Sequence, residues 1–469
     1  MSFTMPVFFL FLPVVVLLYW LLPGKFRWIL LLAASYYFYM YWNPALVILL
    51  LISTLVDYFC SIGIDDHRDS PKKQKLYLTI SILVNLGLLF SFKYLDFFGE
   101  TVNSICTALG LAYRVPAFDL ILPVGISFYT FQTMSYTLDV YRGRVRAERH
   151  IGHYALFVTF FPQLVAGPIE RPGDLLPQLK QHHRFCTENL LDGITLLLRG
   201  YAKKVLIADY LARFADHAYE HVSTTGGSAL ALATVFFAFQ IYCDFSGYSD
   251  IAQGCARLMG IRLSDNFHTP YASRSIRDFW RRWHISLTGW FTDYLYIPLG
   301  GSRKGIARTC VNILITFLIS GLWHGADWTY VIWGGLHGLY LVLERLLWKK
   351  RSPGPVLTFL AVCFAWIFFR ASSVQDAFTV ISRIFCAWDG SALLQGLGIT
   401  GVELLVALVL IGLLPFLEKL PSLTRHEAVP LPKLCHTALL YLLLTLAIIF
   451  CRILVLTQGG DTAFIYFQF

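Results

Sequence analysis

The chain has 469 residues, 57% of them hydrophobic and 14% charged, with a mean hydropathy of +0.60 and a formal net charge of +9. Soluble globular chains carry about 25% charged residues, so this composition excludes one and describes a polytopic, all-α membrane protein. The basic residues fall between apolar runs, where they set topology, and this excludes a nucleic-acid-binding face.

The first apolar run covers residues 3–22. No basic residue precedes it, and Lys25 and Arg27 follow it. This predicts a retained first span with the N-terminus outside and the next loop in the cytoplasm. Further apolar runs follow at 29–45, 46–64, 76–98, 154–169, 188–210, 228–260, 309–324, 328–347, 354–373, 399–416 and 434–456. A full crossing takes about 20 apolar residues, and several runs are shorter. The expectation is about ten or eleven crossings, with some re-entrant or interfacial pieces, in a single membrane domain over 1–469. Its catalytic core would be about 120–350, with N-terminal helices over 1–115 and C-terminal helices over 354–469.

Basic clusters at Arg142, Arg144, Arg146 and Arg149, at Lys203 and Lys204, and at Arg345, Lys349, Lys350 and Arg351 mark cytoplasmic loops. Three stretches interrupt apolar sequence: Leu122-Pro123-Val124-Gly125-Ile126-Ser127, Phe161 to Pro168, and Asp244 to Asp250. Irregular backbone at membrane depth is tolerated where it is buried in protein or lines a wet cavity, so these stretches predict an internal tunnel. Cysteines such as Cys60, Cys243 and Cys255 read as small core hydrophobes. The histidines lack metal-ligand spacing, so no metal site is expected.

Residues 271–308 hold seven basic side chains against two acidic ones, interleaved with Trp280, Trp283, Trp290, Phe291, Tyr294 and Tyr296. Such a segment suits an interfacial helix set at the cytoplasmic leaflet. It also suits a pocket for an anionic ligand such as the phosphates of coenzyme A. His284 lies within it. The weakest membrane signal, 374–398, reads as an interfacial helix and loop.

His324 sits in the apolar run Ser320-Gly321-Leu322-Trp323-His324-Gly325. Counted from Arg308 at the cytoplasmic boundary, the helical rise to His324 is roughly 24 Å. That places an imidazole inside a hydrocarbon core about 30 Å thick. A buried ionisable group there is costly unless it is paired or used. Gly325-Ala326-Asp327 allows the chain to turn back, and His337 on the return helix reads as a structural histidine.

The stretches Asp278-Phe279-Trp280-Arg281-Arg282-Trp283-His284-Ile285-Ser286-Leu287 and Gly321-Leu322-Trp323-His324-Gly325 resemble the two signatures of membrane-bound O-acyltransferases. Leu122 to Gln132, Pro162 to Ile169, Tyr242 to Asp250 and Trp290 to Gly301 extend the resemblance in the same order. It runs from about residue 3 to 370 and more weakly beyond. The Asp293 to Gly301 and Trp323-His324-Gly325-Ala326 stretches are similar to the alginate-acetylating branch more than to the D-alanyl-transferring one.

The resemblance implies a multi-helix body around a tunnel that joins the two membrane faces. It makes His324 the essential histidine and His284 the second functional position. The chemistry implied is acyl transfer from a cytoplasmic thioester to a hydroxyl. A neutral imidazole at His324 suits a general base, and His284 would orient the thioester or stabilise the oxyanion. Arg281, Arg282, Trp283, Trp323 and Asp244 are the expected donor-binding residues, although Asp244 and Asp250 also fit a structural role. The donor would be acetyl-CoA, with no bound cofactor. The product would be an O-acetylated exopolysaccharide such as alginate, made at a bacterial inner membrane with an extracytoplasmic SGNH-type acetyltransferase partner. D-alanyl transfer from a carrier-protein thioester is the alternative acyl transfer. A proton-coupled transporter is the non-enzymatic alternative, since broken helices and an intramembrane histidine fit that class too.

Overall fold

The computed structural model describes residues 1–347, 352–420, 441–452 and 464. Among them every regular element is helical and no strand occurs. They cluster into two compact units, Met1–Cys186 with Cys255–Ser264, and Thr187–Gly254 with Asp265–Phe469.

The first unit holds α1 (Pro6–Leu21), α2 (Gly24–Met40), α3 (Val47–Asp66) and α4 (Pro71–Leu89). One π-helical turn leads into α5 (Leu95–Ala108), and α6 (Ile126–Tyr141), α7 (Ile151–Thr159) and α8 (Pro172–Lys180) follow. Proline opens α1, α4 and α8 at positions where its missing N–H costs no helical bond. Buried polar side chains tie α3, α4 and α6 together. Asp57 accepts from Ser81 Oγ at 2.5 Å and from Asn85 Nδ2 at 2.9 Å. Asn85 Oδ1 in turn accepts from Ser53 and Thr133. Polar groups at this depth persist because they satisfy one another. The expected break at 122–127 is real: Gly125 has φ +76°, and a Cβ there would press on the Leu164 carbonyl at 2.9 Å. The 160–167 stretch is likewise non-helical.

The second unit begins with α9 (Thr187–Tyr201), which passes through a π-helical segment, Ala202–Ala208, into α10 (Asp209–Glu220). Then come α11 (Gly227–Leu258), the short pair α12 (Ile276–Arg282) and α13 (Ile285–Phe291), and α14 (Ile306–His324). After these lie α15 (Trp328–Leu347), α16 (Pro355–Arg370), α17 (Val374–Cys386), α18 (Leu393–Gly396) and α19 (Gly401–Glu418). The α12 N-terminus is capped twice. Ser275 Oγ accepts from the Asp278 N–H, and the Glu344 carboxylate from α15 accepts from the N–H groups of Ile276 and Arg277. α17 buries Ala377 and Val380 and exposes Phe378 and Phe385, the pattern of an interfacial helix.

α14 and α15 cross at Gly321 and Gly334. A Cβ on Gly321 would collide with the Tyr330 carbonyl, and one on Gly334 with that of Phe317. Small residues at a crossing let two backbones touch, the usual device of packed membrane helices.

Two expectations need correction. Asp244 to Asp250 forms no break: α11 runs through it as continuous helix. The carboxylates that suggested an interruption are matched by cations. Lys204 Nζ lies 2.7 Å from Asp244 and 2.8 Å from Asp209, while Asp250 holds Arg199 and Lys203. Lys203 and Lys204 are therefore buried partners of these acids, where the sequence suggested a cytoplasmic loop marker.

Among the described residues, five helices are long and apolar enough to cross a membrane: Pro44–Asp66, Pro71–Ala108, Gly227–Leu258, Ile306–His324 and Gly401–Glu418. Three shorter apolar helices accompany them, Pro6–Leu21, Pro355–Arg370 and Tyr441–Arg452. Lys349, Lys350, Arg351 and much of the expected 434–456 run lie outside the described residues.

Candidate active site

α14 ends on His324, and Gly325-Ala326-Asp327 turns the chain into α15. His324 is 2% exposed. Its Nδ1 lies 2.7 Å from the Ser320 carbonyl one turn back. A carbonyl only accepts, so Nδ1 carries the hydrogen and Nε2 carries the lone pair. Trp333 meets the His324 ring edge-on at 4.8 Å, with Trp323 at 5.0 Å and Phe369 at 5.8 Å.

His284 is fully buried and sits between α12 and α13 with φ +44° and ψ +55°. The left-handed region is uncommon for a residue with a side chain, and it is held where surrounding structure over-determines it. The neighbouring segment supplies that constraint. Ile285 N–H donates to the Asn266 carbonyl at 3.0 Å, and His268 N–H donates to the Arg282 carbonyl at 2.9 Å. The turn aims His284 at His324, with ring centres 6.4 Å apart, and Trp323 lies against both. Phe245 closes on His284 edge-first at 4.6 Å.

A cavity of about 370 Å³ shares Ser320 with the surroundings of this pair. Trp280, Thr316, Phe317 and Ser320 form part of its wall, and Arg277 and Arg281 line it as well. Ser320 is the residue whose carbonyl holds His324. The two arginines stand one turn apart on α12 and are exposed. Neither forms an ion pair with a described residue, whereas Arg282 is committed to Asp278 at 2.9 Å. An apolar, aromatic chamber edged by two uncommitted guanidinium groups matches a ligand with a slender neutral arm and an anionic end.

A sequence model of the membrane-bound O-acyltransferase family matches residues 145–373, the part that carries both histidines. The "Probable alginate O-acetylase AlgI" of Pseudomonas aeruginosa is 41% identical over 412 residues, covering 86% of this chain and 78% of that protein. The chain belongs to the membrane-bound O-acyltransferase family. It is a multi-pass membrane O-acyltransferase. The Pseudomonas putida protein of the same name is 38% identical over 488 residues and spans both chains in full. The "Peptidoglycan O-acetyltransferase" of Helicobacter pylori is 36% identical over 421 residues, covering 81% of this chain and 79% of its own.

Within this O-acyltransferase, the residues expected to act fall into three groups. His324, His284 and Trp323 come together. Arg281 lines the adjacent cavity. Arg282, Trp283 and Asp244 lie elsewhere. Arg282 pairs with Asp278, Trp283 packs buried against Phe279 and Trp366, and Asp244 pairs with Lys204. Sequence reasoning passed over Arg277, Ser320 and Asn266. The i,i+4 spacing of Arg277 and Arg281 is a usable signal. Nothing in the spacing marks Asn266, because its contacts depend on the left-handed turn at His284. Among the described residues, no group of three His, Cys, Asp or Glu side chains is placed to hold a metal ion.

Proposed function

We propose that this enzyme transfers an acetyl group from acetyl-CoA to a hydroxyl acceptor in the O-acetylation of an exopolysaccharide such as alginate. The observation that carries the reading is the buried His284–His324 pair beside an apolar cavity that Ser320 shares with it and that Arg277 and Arg281 line. The cavity would take the pantetheine arm, and the two arginines would take phosphate. Basic residues crowd this side of the chain, at Arg303, Lys304 and Arg308, which supports a cytoplasmic donor entrance in a bacterial inner membrane.

The chemistry uses the tautomer of His324. As the hydroxyl oxygen attacks the thioester carbonyl, Nε2 takes the hydroxyl proton. The new C–O bond forms, the C–S bond breaks, and the proton passes to the leaving thiolate. General base catalysis of this kind contributes about 10²–10⁴-fold. An extracytoplasmic acetyltransferase of the SGNH type would be the partner that completes transfer to polymer.

The test is transfer of label from radiolabelled acetyl-CoA in proteoliposomes, with wild type beside His324→Ala. Transfer to a hydroxyl acceptor with wild type alone supports the reading. Label transferred equally by an inserted, folded His324→Ala protein removes the base. No transfer from acetyl-CoA, with transfer from an acyl-carrier thioester instead, reassigns the donor.

A further inference from the structure

The side chain of Asn266 is the missing piece of the histidine pair. It is 2% exposed. Its Oδ1 accepts from the Ser286 N–H at 3.2 Å and from Ser286 Oγ at 3.0 Å, and it lies 3.2 Å from His284 Nδ1. Its Nδ2 reaches Ser249 Oγ at 3.4 Å. The backbone N–H of Ser286 can only donate, so the atom facing it is the amide oxygen. That settles which way the amide points. An amide oxygen only accepts, so neutral His284 carries its hydrogen on Nδ1 and leaves the lone pair on Nε2.

We propose that Asn266 is a positioning residue that locks His284 as a hydrogen-bond acceptor toward the reacting groups. In this tautomer Nε2 has no hydrogen to give an oxyanion. His284 therefore enters the reaction as a lone-pair partner of His324, which presents Nε2 in the same state. A hydroxyl has one hydrogen to give, so one Nε2 holds and deprotonates it while the other places no competing donor on the attacking oxygen.

The setting makes the lock sensitive to charge. Around the His284 ring itself stand His324 and Trp323 from α14, Phe245 from α11 and Phe267. Asn266 also lines a polar cavity of about 260 Å³ that contains Arg199, Lys203, Asp250, Asp265, His268 and Glu418. Asn266 is thus a neutral spacer between His284 and that charged cavity.

The inference rests on the acyltransferase reading for its rate assays, but its first test needs neither donor nor acceptor. Solid-state NMR of lipid-embedded protein with ¹⁵N-labelled imidazoles, compared with His284→Gln, reads the tautomer directly. A hydrogen on Nδ1 is expected, and one on Nε2 overturns the inference. In acetyl transfer, Asn266→Ala should lose about tenfold, the rate equivalent of one buried hydrogen bond. Asn266→Asp keeps an oxygen for Nδ1–H and Ser286 N–H and adds a negative charge beside the ring. It should retain transfer but move the acid limb of the pH–rate profile upward by about 1–3 units. An unmoved profile in a folded Asn266→Asp protein, or undiminished transfer by Asn266→Ala, also overturns it. Absence of transfer from acetyl-CoA in wild type bears only on the donor.

Discussion

Trp280 donates its indole N–H to His337 Nδ1 at 3.3 Å. Indole nitrogen cannot accept, so His337 carries its own hydrogen on Nε2, the opposite tautomer to His324. The bond joins α12 to α15 and holds Trp280 in the cavity wall. His337→Leu should lower thermal stability in detergent by about 1–3 kcal/mol, the cost of leaving a buried donor unmatched. It should slow transfer less than His324→Ala does. Equal loss in both variants, with stability unchanged, would make His337 part of the chemistry.

Arg277→Ala with Arg281→Ala should raise the KM for a phosphate-bearing donor about tenfold or more, with kcat near the wild-type value. Charge-assisted bonds contribute about 1.5–3 kcal/mol, and in the proposed reading these two groups would bind a part of the donor that does not react. Raising ionic strength should weaken donor binding in wild type and matter less in the double variant. An unchanged KM would place the donor elsewhere.

Lys204 stands between Asp209 and Asp244, and all three are buried. Lys204→Met leaves two carboxylates facing each other without a cation. Loss of one buried partner costs about 3–5 kcal/mol. The variant should therefore accumulate poorly and melt early. Lys204→Met combined with Asp244→Asn should recover part of that loss. A Lys204→Met protein as stable as wild type would show that the cluster is hydrated.

Glu170 accepts from both the N–H and the hydroxyl of Ser264 and is almost fully buried. Burial pushes its carboxyl up from 4.5 to about 7. Between those values the folded state holds a proton that the unfolded chain has released. Its stability contribution is fully present below pH 4.5, falls as pH rises through the window, and stays at the lower level above 7. Glu170→Gln removes this titration. Melting temperatures across pH 4–8 should show a shallower decline in the variant than in wild type. Parallel curves would mean that the Glu170 carboxyl titrates in the fold as it does in the unfolded chain.

The residues themselves show how far the sequence could be read. His324 stood out because an imidazole in an apolar run needs a physical reason. His284 stood out through the tryptophans and arginines around it. Both readings concern single positions against local composition. Arg277, Arg281 and Arg282 look alike in sequence, yet Asp278 claims only the last of them. That choice is made by side-chain direction around one helical turn. Lys203 and Lys204 fit a topology signal as well as a buried ion pair, since both are basic residues beside an apolar run. The continuous α11 could not be foreseen from its carboxylates, because the cations that match them come from about forty residues earlier.

The touching backbones at Gly321 and Gly334 bear on how this enzyme could be redesigned. With the carbonyls of Tyr330 and Phe317 against those glycines, α14 and α15 have no slack to spread apart. In the proposed reading, room for a bulkier donor would therefore come from trimming Phe317 or Trp280 in the cavity wall, while the close helix pair keeps His324 in place. On that reading, which donors fit would be decided by side-chain volume and not by parting the helices.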